Sequence, residues 1–138
     1  MLRVVIDTSV WLSGIFWHGI PHRVLEAWRA GDFEVVVSEE TMAELERKLA
    51  EKVAEFGADP GIAEEWMTLI GEEAFPVEPR ERIQACRDAD DDKFLEAAIA
   101  SQAAFVVSGD KDLTAMAHFR DVEIVTPRQF LRHLQETP

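Results

Sequence analysis

Carboxylates follow two short apolar stretches of the sequence, where they could hold a divalent metal ion. Residues 2–6 lead directly into Asp7, and residues 104–107 lead through Ser108 into Asp110. A bare carboxylate at the end of a buried strand is costly unless something pairs with it. Divalent cations such as Mg²⁺ prefer oxygen ligands, and a bound metal can turn water into a nucleophile. The alternative is that each acid only caps the helix that follows it, which Thr8 and Ser9 could also do.

A third group of acids lies in residues 88–92, which contain four aspartates before a predicted helix. The helix dipole can stabilise one or two of them, but four like charges this close together need a cation. Asp91 stands three and four residues before Phe94 and Leu95, which places it on the buried side of that helix. Asp92 is rotated toward Leu95 and Ile99 and is the second choice.

The elements that would carry these acids alternate between strands and helices, which predicts a three-layer α/β/α fold with a central, mostly parallel sheet. In such sheets, ligands bind beyond the carboxyl ends of the strands, so acids that end separate strands should meet there. Strands are predicted near residues 2–6, 33–37, 104–107 and 122–125, with a weak edge strand at 74–77. Helices are predicted after Pro21, Ser38, Asp59, Asp92, Asp110 and Thr126.

Composition predicts one compact domain over residues 1–138. The chain is 47% apolar, with no apolar segment of about 18 residues that could span a membrane. A lone Cys86 and four histidines without zinc-type spacing favour a reducing cytoplasm. The net charge of −13 should repel nucleic acid unless divalent cations or a basic protein partner mask it.

Two further features allow opposite interpretations. Glu44 lies off the apolar stripe of its helix, so spacing predicts a solvated side chain. The aromatic residues Trp11, Phe16 and Trp17 are predicted to lie in the core, and the alternative is an exposed patch for self-association or partner docking.

Four short motifs, taken in this order and at this spacing, resemble the PIN-domain ribonucleases. They are DTSV at residues 7–10, SEETMAEL at 38–45, DADDDKFLE at 88–96 and VVSGDKDL at 106–113. The similarity covers nearly the whole chain, down to Thr126 and Pro127, and is greatest to the branch of VapC-type toxins from toxin–antitoxin pairs. One departure is Ala89, where relatives often carry proline, and it should affect only the stiffness of the loop.

The resemblance implies a metal-dependent endoribonuclease with acids around one or two Mg²⁺ or Mn²⁺ ions. It also implies an antitoxin partner and a homodimer. Glu44 becomes a site residue on this ground alone, against the expectation from its spacing. By resemblance the catalytic, metal-binding acids are Asp7, Glu44, Asp91 and Asp110, the additional metal ligands are Asp92 and Asp112, and the supporting hydroxyls are Thr8, Ser9 and Ser108.

Three other functions fit parts of the pattern. A phosphoacceptor receiver domain also gathers acids and Mg²⁺ at strand ends, but it would have paired acids where Asp7 stands alone. A phosphatase with an aspartyl nucleophile usually has Asp-x-Asp, and Ser9 occupies the second position. A catalytically silent PIN-like binding module would keep the fold without the reaction.

Overall fold

The computed structural model describes residues 1–136 and contains a six-stranded sheet between two layers of helices. The sheet has the strand order β3-β2-β1-β4-β6-β5, and every pairing is parallel except that of β5 with β6. The α/β prediction with a mostly parallel central sheet is therefore confirmed. The strands are β1 (Arg3–Ile6), β2 (Glu34–Val37), β3 (Phe75–Pro76), β4 (Phe105–Val107), β5 (His118–Phe119) and β6 (Val122–Val125).

Helices cover both faces of the sheet because side chains alternate along each buried strand. Val4 and Ile6 of β1 point into one core with Phe130, whereas Val5 points into a second core with Phe94 and Leu113. The helices are α1 (Thr8–Phe16), α2 (Ile20–Arg29), α3 (Glu39–Phe56), α4 (Pro60–Glu73), α5 (Asp92–Ser101), α6 (Lys111–Thr114) and α7 (Pro127–Glu136), with a 3-10 turn at Ala89–Asp91. Among residues 1–136, no helix is both long and apolar enough to cross a membrane.

The helix boundaries follow local sequence signals. Ser38 accepts a hydrogen bond from the Thr41 backbone N–H, and the Thr41 hydroxyl accepts one from the Ser38 N–H, which makes a reciprocal cap at the start of α3. α3 is capped at its C-terminus by Gly57, which adopts the left-handed conformation (φ 61°) that glycine tolerates best. Thr126 and Gln129 make a similar reciprocal cap at the start of α7.

The first two helices are in direct contact at Gly14. A Cβ atom at this position would lie 2.6 Å from Leu25 Cδ1 and 2.9 Å from the Pro21 carbonyl oxygen. The Gly14 carbonyl also lies 2.9 Å from His22 Nδ1. The absence of a side chain therefore lets α2 pack directly on α1.

The structure departs from the sequence predictions at one edge strand and in the aromatic core. The antiparallel strand β5 was not predicted, because two residues at an exposed edge carry no apolar pattern. The predicted aromatic core is divided: Trp11 is buried against Trp28, but Trp17 is 54% exposed. Trp17 follows the last residue of α1, so it lies beyond the surface that the helix buries, and it contacts the exposed Phe56.

Candidate active site

Asp7 lies at the centre of the sheet's carboxyl edge, where β1 ends and α1 begins. Its backbone N–H donates to the Val107 carbonyl of β4 over 3.0 Å. One carboxylate oxygen, Oδ1, accepts from the Val10 N–H (3.0 Å) and the Ser9 hydroxyl (2.8 Å), so Asp7 does cap α1. The other oxygen, Oδ2, accepts from the Ser108 hydroxyl. Asp7 therefore caps the helix and also joins two strands.

Ser108 connects Asp7 to the fourth predicted acid. Its side chain is fully buried, and its hydroxyl oxygen accepts from the Asp110 backbone N–H over 3.0 Å. Asp110 caps α6 through Oδ1, which accepts from the Asp112 N–H over 2.9 Å. The Asp112 carboxylate lies 3.6 Å from the Arg87 guanidinium and is 55% exposed, so it pairs with Arg87 and not with Asp7 or Ser108.

Asp91 completes a cluster of three carboxylates with Asp7 and Asp110, called here the acid cluster. It ends the 3-10 turn and makes no capping hydrogen bond. Burial raises the pKa of Asp91 to about 6, and the negative charge of Asp110 is the next cause, with smaller contributions from Asp88 and Asp7. Burial likewise raises the pKa of Asp7, and Asp110 adds to the rise.

Asp92 is adjacent in sequence but occupies a different environment. Its Oδ1 accepts from the backbone N–H groups of Ala85 (3.1 Å) and Cys86 (2.8 Å), and only 7% of the side chain is exposed. These bonds fix the loop before α5. Burial and the hydrogen bond with Asp92 raise the pKa of the Cys86 thiol to about 12, which leaves it unreactive. The prediction that Asp91 lies on the buried side of α5 was wrong, because Asp91 is half-buried in the turn before the helix and Asp92 is the buried first residue. The geometry still favours Asp91 over Asp92 as the acid that faces Asp110.

Glu44 is buried, with 8% of its side chain exposed, so the prediction of a solvated residue was wrong. Its carboxylate accepts from the Thr8 hydroxyl at the start of α1 and lies 3.0 Å from Lys93 Nζ of α5 and 3.8 Å from Lys48 Nζ. Burial raises the pKa of Glu44, but the Thr8 hydrogen bond and the two lysines outweigh it and hold the pKa below its ordinary value. Periodicity missed this because α3 buries a second face against α1 and α5.

Lys93 is a site residue that the sequence analysis did not single out. Its side chain is only 13% exposed and also lies 3.8 Å from the Asp90 carboxylate. The signal available in the sequence was a lysine directly after an aspartate run, but its partner stands 49 positions earlier in the chain.

The donor set of the acid cluster fits a hard divalent cation. Within residues 1–136, no Lys, Arg or His forms an ion pair with Asp7, Asp91 or Asp110. In the same part of the chain, no three His, Cys, Asp or Glu side chains form a preassembled metal cage. Mg²⁺ commonly takes only one or two carboxylates and completes its shell with water and substrate phosphate. Unpaired, mutually repelling acids in an open arrangement suit that mode of binding.

The chain is similar to known proteins in sequence and in structure. The uncharacterized protein MJ1680 of Methanocaldococcus jannaschii is 25% identical over 145 residues, covering 98% of this chain and 93% of that protein. The crystal structure of FitAcB from Neisseria gonorrhoeae superposes with a TM-score of 0.54 at 14% identity, covering 91% of this chain and 98% of that one. Residues 3–112 match the PIN domain family, whose members are generally nucleases and typically use divalent metals. This stretch contains all the acids described above, and the chain belongs to the PIN domain family.

Proposed function

We propose that this PIN domain is a divalent-metal-dependent endoribonuclease that hydrolyses RNA phosphodiester bonds. The observation that carries the proposal is the acid cluster, in which Asp7, Asp91 and Asp110 come from three separate segments and repel one another. Within the described residues 1–136, none of the three is ion-paired with a Lys, Arg or His. Such an arrangement raises the free energy of the protein unless a cation binds there. The receiver and aspartyl phosphatase alternatives explain the sequence less well, because residues 3–112 match a different family.

The residues have separate roles in the proposed reaction. Asp91 and Asp110 would hold Mg²⁺ or Mn²⁺, and Asp7 would bind through its Ser108-oriented carboxylate directly or through water. The bound ion would acidify a water for in-line attack on the phosphodiester and would stabilise the charge that develops. Ser9 and Ser108 orient Asp7, while Thr8 orients Glu44. Asp92 and Asp112 are less suited as ligands, since each is engaged elsewhere.

We further propose that the protein is the toxin of a toxin–antitoxin pair, acts in the cytoplasm and forms a homodimer. The support is the resemblance of its four motifs to VapC-type toxins. A chain with a net charge of −13 also suits a partner with a basic segment, which would be attracted to the acid cluster. The exposed Trp17 and Phe56 offer an apolar surface that either partner could cover.

The test is an RNA cleavage assay with purified protein, in excess chelator and with added Mg²⁺ or Mn²⁺. We expect cleavage only with metal, and loss of cleavage in Asp110→Asn. Glu123→Gln is the matched control, because it removes one exposed carboxylate outside the acid cluster. Cleavage that persists in chelator contradicts metal dependence, and RNA binding without cleavage under every condition indicates a silent binding module.

A further inference from the structure

A group of arginines on α2 and α7 has no role in the acid cluster. Helices α2 and α7 carry four arginines against two glutamates, in a chain whose 27 acids outnumber its 14 basic residues. Three of these arginines line one shallow surface depression of about 160 Å³, together with Ile20 and Leu131. Arg23, Arg128 and Arg132 are called here the arginine surface. It is a positively charged site on a strongly acidic protein.

The guanidinium groups of the arginine surface are available to a ligand. All three side chains are exposed, and within residues 1–136 none of them forms an ion pair or a hydrogen bond. The neighbouring Glu26 lies 3.9 Å from His22 instead. Other arginines show the contrast: Arg47 pairs with Glu51, and Arg82 with Glu40.

The arginine surface lies close to the acid cluster. The Val125 carbonyl accepts a hydrogen bond from the Ser108 N–H over 2.9 Å, and the Ser108 hydroxyl holds Asp7. Arg128 follows Val125 by three residues, so its Cα lies within about 11 Å of that strand end. Arg23 of α2 lines the same depression as Arg128, so it lies on the same side of the molecule.

We propose that the arginine surface binds phosphates of the RNA strand on one side of the scissile bond. The inference rests on the proposed ribonuclease function. The planar guanidinium group of arginine can donate two parallel hydrogen bonds to phosphate oxygens, and phosphate contacts contribute RNA affinity that does not depend on sequence. The acid cluster repels a polyanion except where metal is bound, so a positive surface beside it keeps the strand near the metal. The arginine surface therefore holds the RNA strand, and the acid cluster with its bound metal cleaves it.

The experiment measures RNA binding separately from cleavage. A fluorescein-labelled oligouridine is titrated with protein in EDTA, by anisotropy, over a series of salt concentrations. For single strands, each phosphate contact contributes about 0.7 to the slope of log K against log salt. The triple variant Arg23→Gln, Arg128→Gln, Arg132→Gln should therefore lose about 2 from this slope. The matched control, Arg29→Gln, Arg47→Gln, Lys52→Gln, changes net charge equally elsewhere and should keep the slope.

A second triple variant tests whether a lower slope comes from the lost charges or from misfolding. Replacing the same three arginines by lysine keeps the charge, so the slope should stay near that of the wild type even if the affinity falls. Equal slopes for the triple glutamine variant and the wild type overturn the proposal, as does wild-type binding to polyglutamate but not to RNA. If the slope falls as expected but nothing cleaves RNA with Mg²⁺, the arginine surface stands and the proposed nuclease function fails. If the wild type cleaves RNA with Mg²⁺ but the triple glutamine variant has the wild-type slope, the proposed nuclease function stands and the arginine surface fails.

Discussion

Lys93 Nζ lies 3.0 Å from Glu44 Oε1, in an ion pair that joins α5 to α3 beside the acid cluster. Both side chains are largely buried, and the same glutamate accepts a hydrogen bond from Thr8 at the start of α1. Three helices therefore meet at one carboxylate. Glu44 differs from Asp7, Asp91 and Asp110 in having protein cations as partners, so its negative charge is already compensated.

Removing Lys93 should destabilise the protein, because it leaves the Glu44 carboxylate buried and less well compensated. We expect Lys93→Met to lower the free energy of unfolding by about 2–4 kcal/mol, a range reduced for partial exposure and for the remaining Lys48. Adding Glu44→Gln should recover part of that loss, since no unpaired charge then remains. Urea unfolding of both single variants and the double variant measures the coupling. Strictly additive losses would show that the two groups do not interact.

Asp91 and Asp92 should respond oppositely to the same chemical change. Asp91→Asn removes a repelling charge and a proposed metal ligand, so activity should be lost while the metal-free protein keeps or gains stability. Asp92→Asn weakens the acceptor of two backbone N–H groups and should cost about 1–3 kcal/mol. Thermal melting in EDTA and RNA cleavage distinguish the two. The prediction fails if Asp92→Asn loses activity without losing stability.

The stability of the chelated protein should depend on pH through Asp91. An aspartate has a pKa of about 3.9 in the unfolded chain, whereas burial and Asp110 raise the pKa of Asp91 to about 6. Between these values the folded state binds more protons, so this group lowers the free energy of unfolding as pH rises from about 4 to about 6. Asp91→Asn removes that contribution. Its gain over wild type should be larger at pH 7 than at pH 4.5, as measured by denaturant unfolding in EDTA.

Added metal should stabilise the wild type but not a variant of the acid cluster. Binding to the native state contributes RT ln(1 + [L]/Kd), or about 2.7 kcal/mol at a hundredfold excess over Kd. The melting temperature of the wild type should therefore rise with Mn²⁺, and that of Asp110→Asn should rise much less. Glu123→Gln should retain the full rise. If the melting temperature of Asp110→Asn rises as much as that of the wild type, Asp110 caps α6 and is not a metal ligand.

The features predicted correctly from the sequence depend on residues close together in the chain and on the direction of the strands. The apolar run of β1 ends just before Asp7, and that of β4 ends just before Ser108. Parallel strands bring their carboxyl ends to one edge of the sheet, so the sequence predicted that Asp7 and Asp110 lie at the same edge. The caps at Ser38, Asp59 and Thr126 were also predictable, because a cap depends on residues two or three positions apart.

Only the tertiary structure decided the rest, because it depends on which surfaces of distant segments meet. Glu44 is buried since α3 packs against both α1 and α5, and helical periodicity describes one buried face at a time. Helical facing predicted Asp91 over Asp92, but no spacing rule predicts that Asp92 binds the backbone N–H groups of the loop before α5. Contacts between residues 36 or 49 positions apart, such as Thr8 with Glu44 and Glu44 with Lys93, leave no periodic signal in the chain. They arise only when the helices are packed on the sheet.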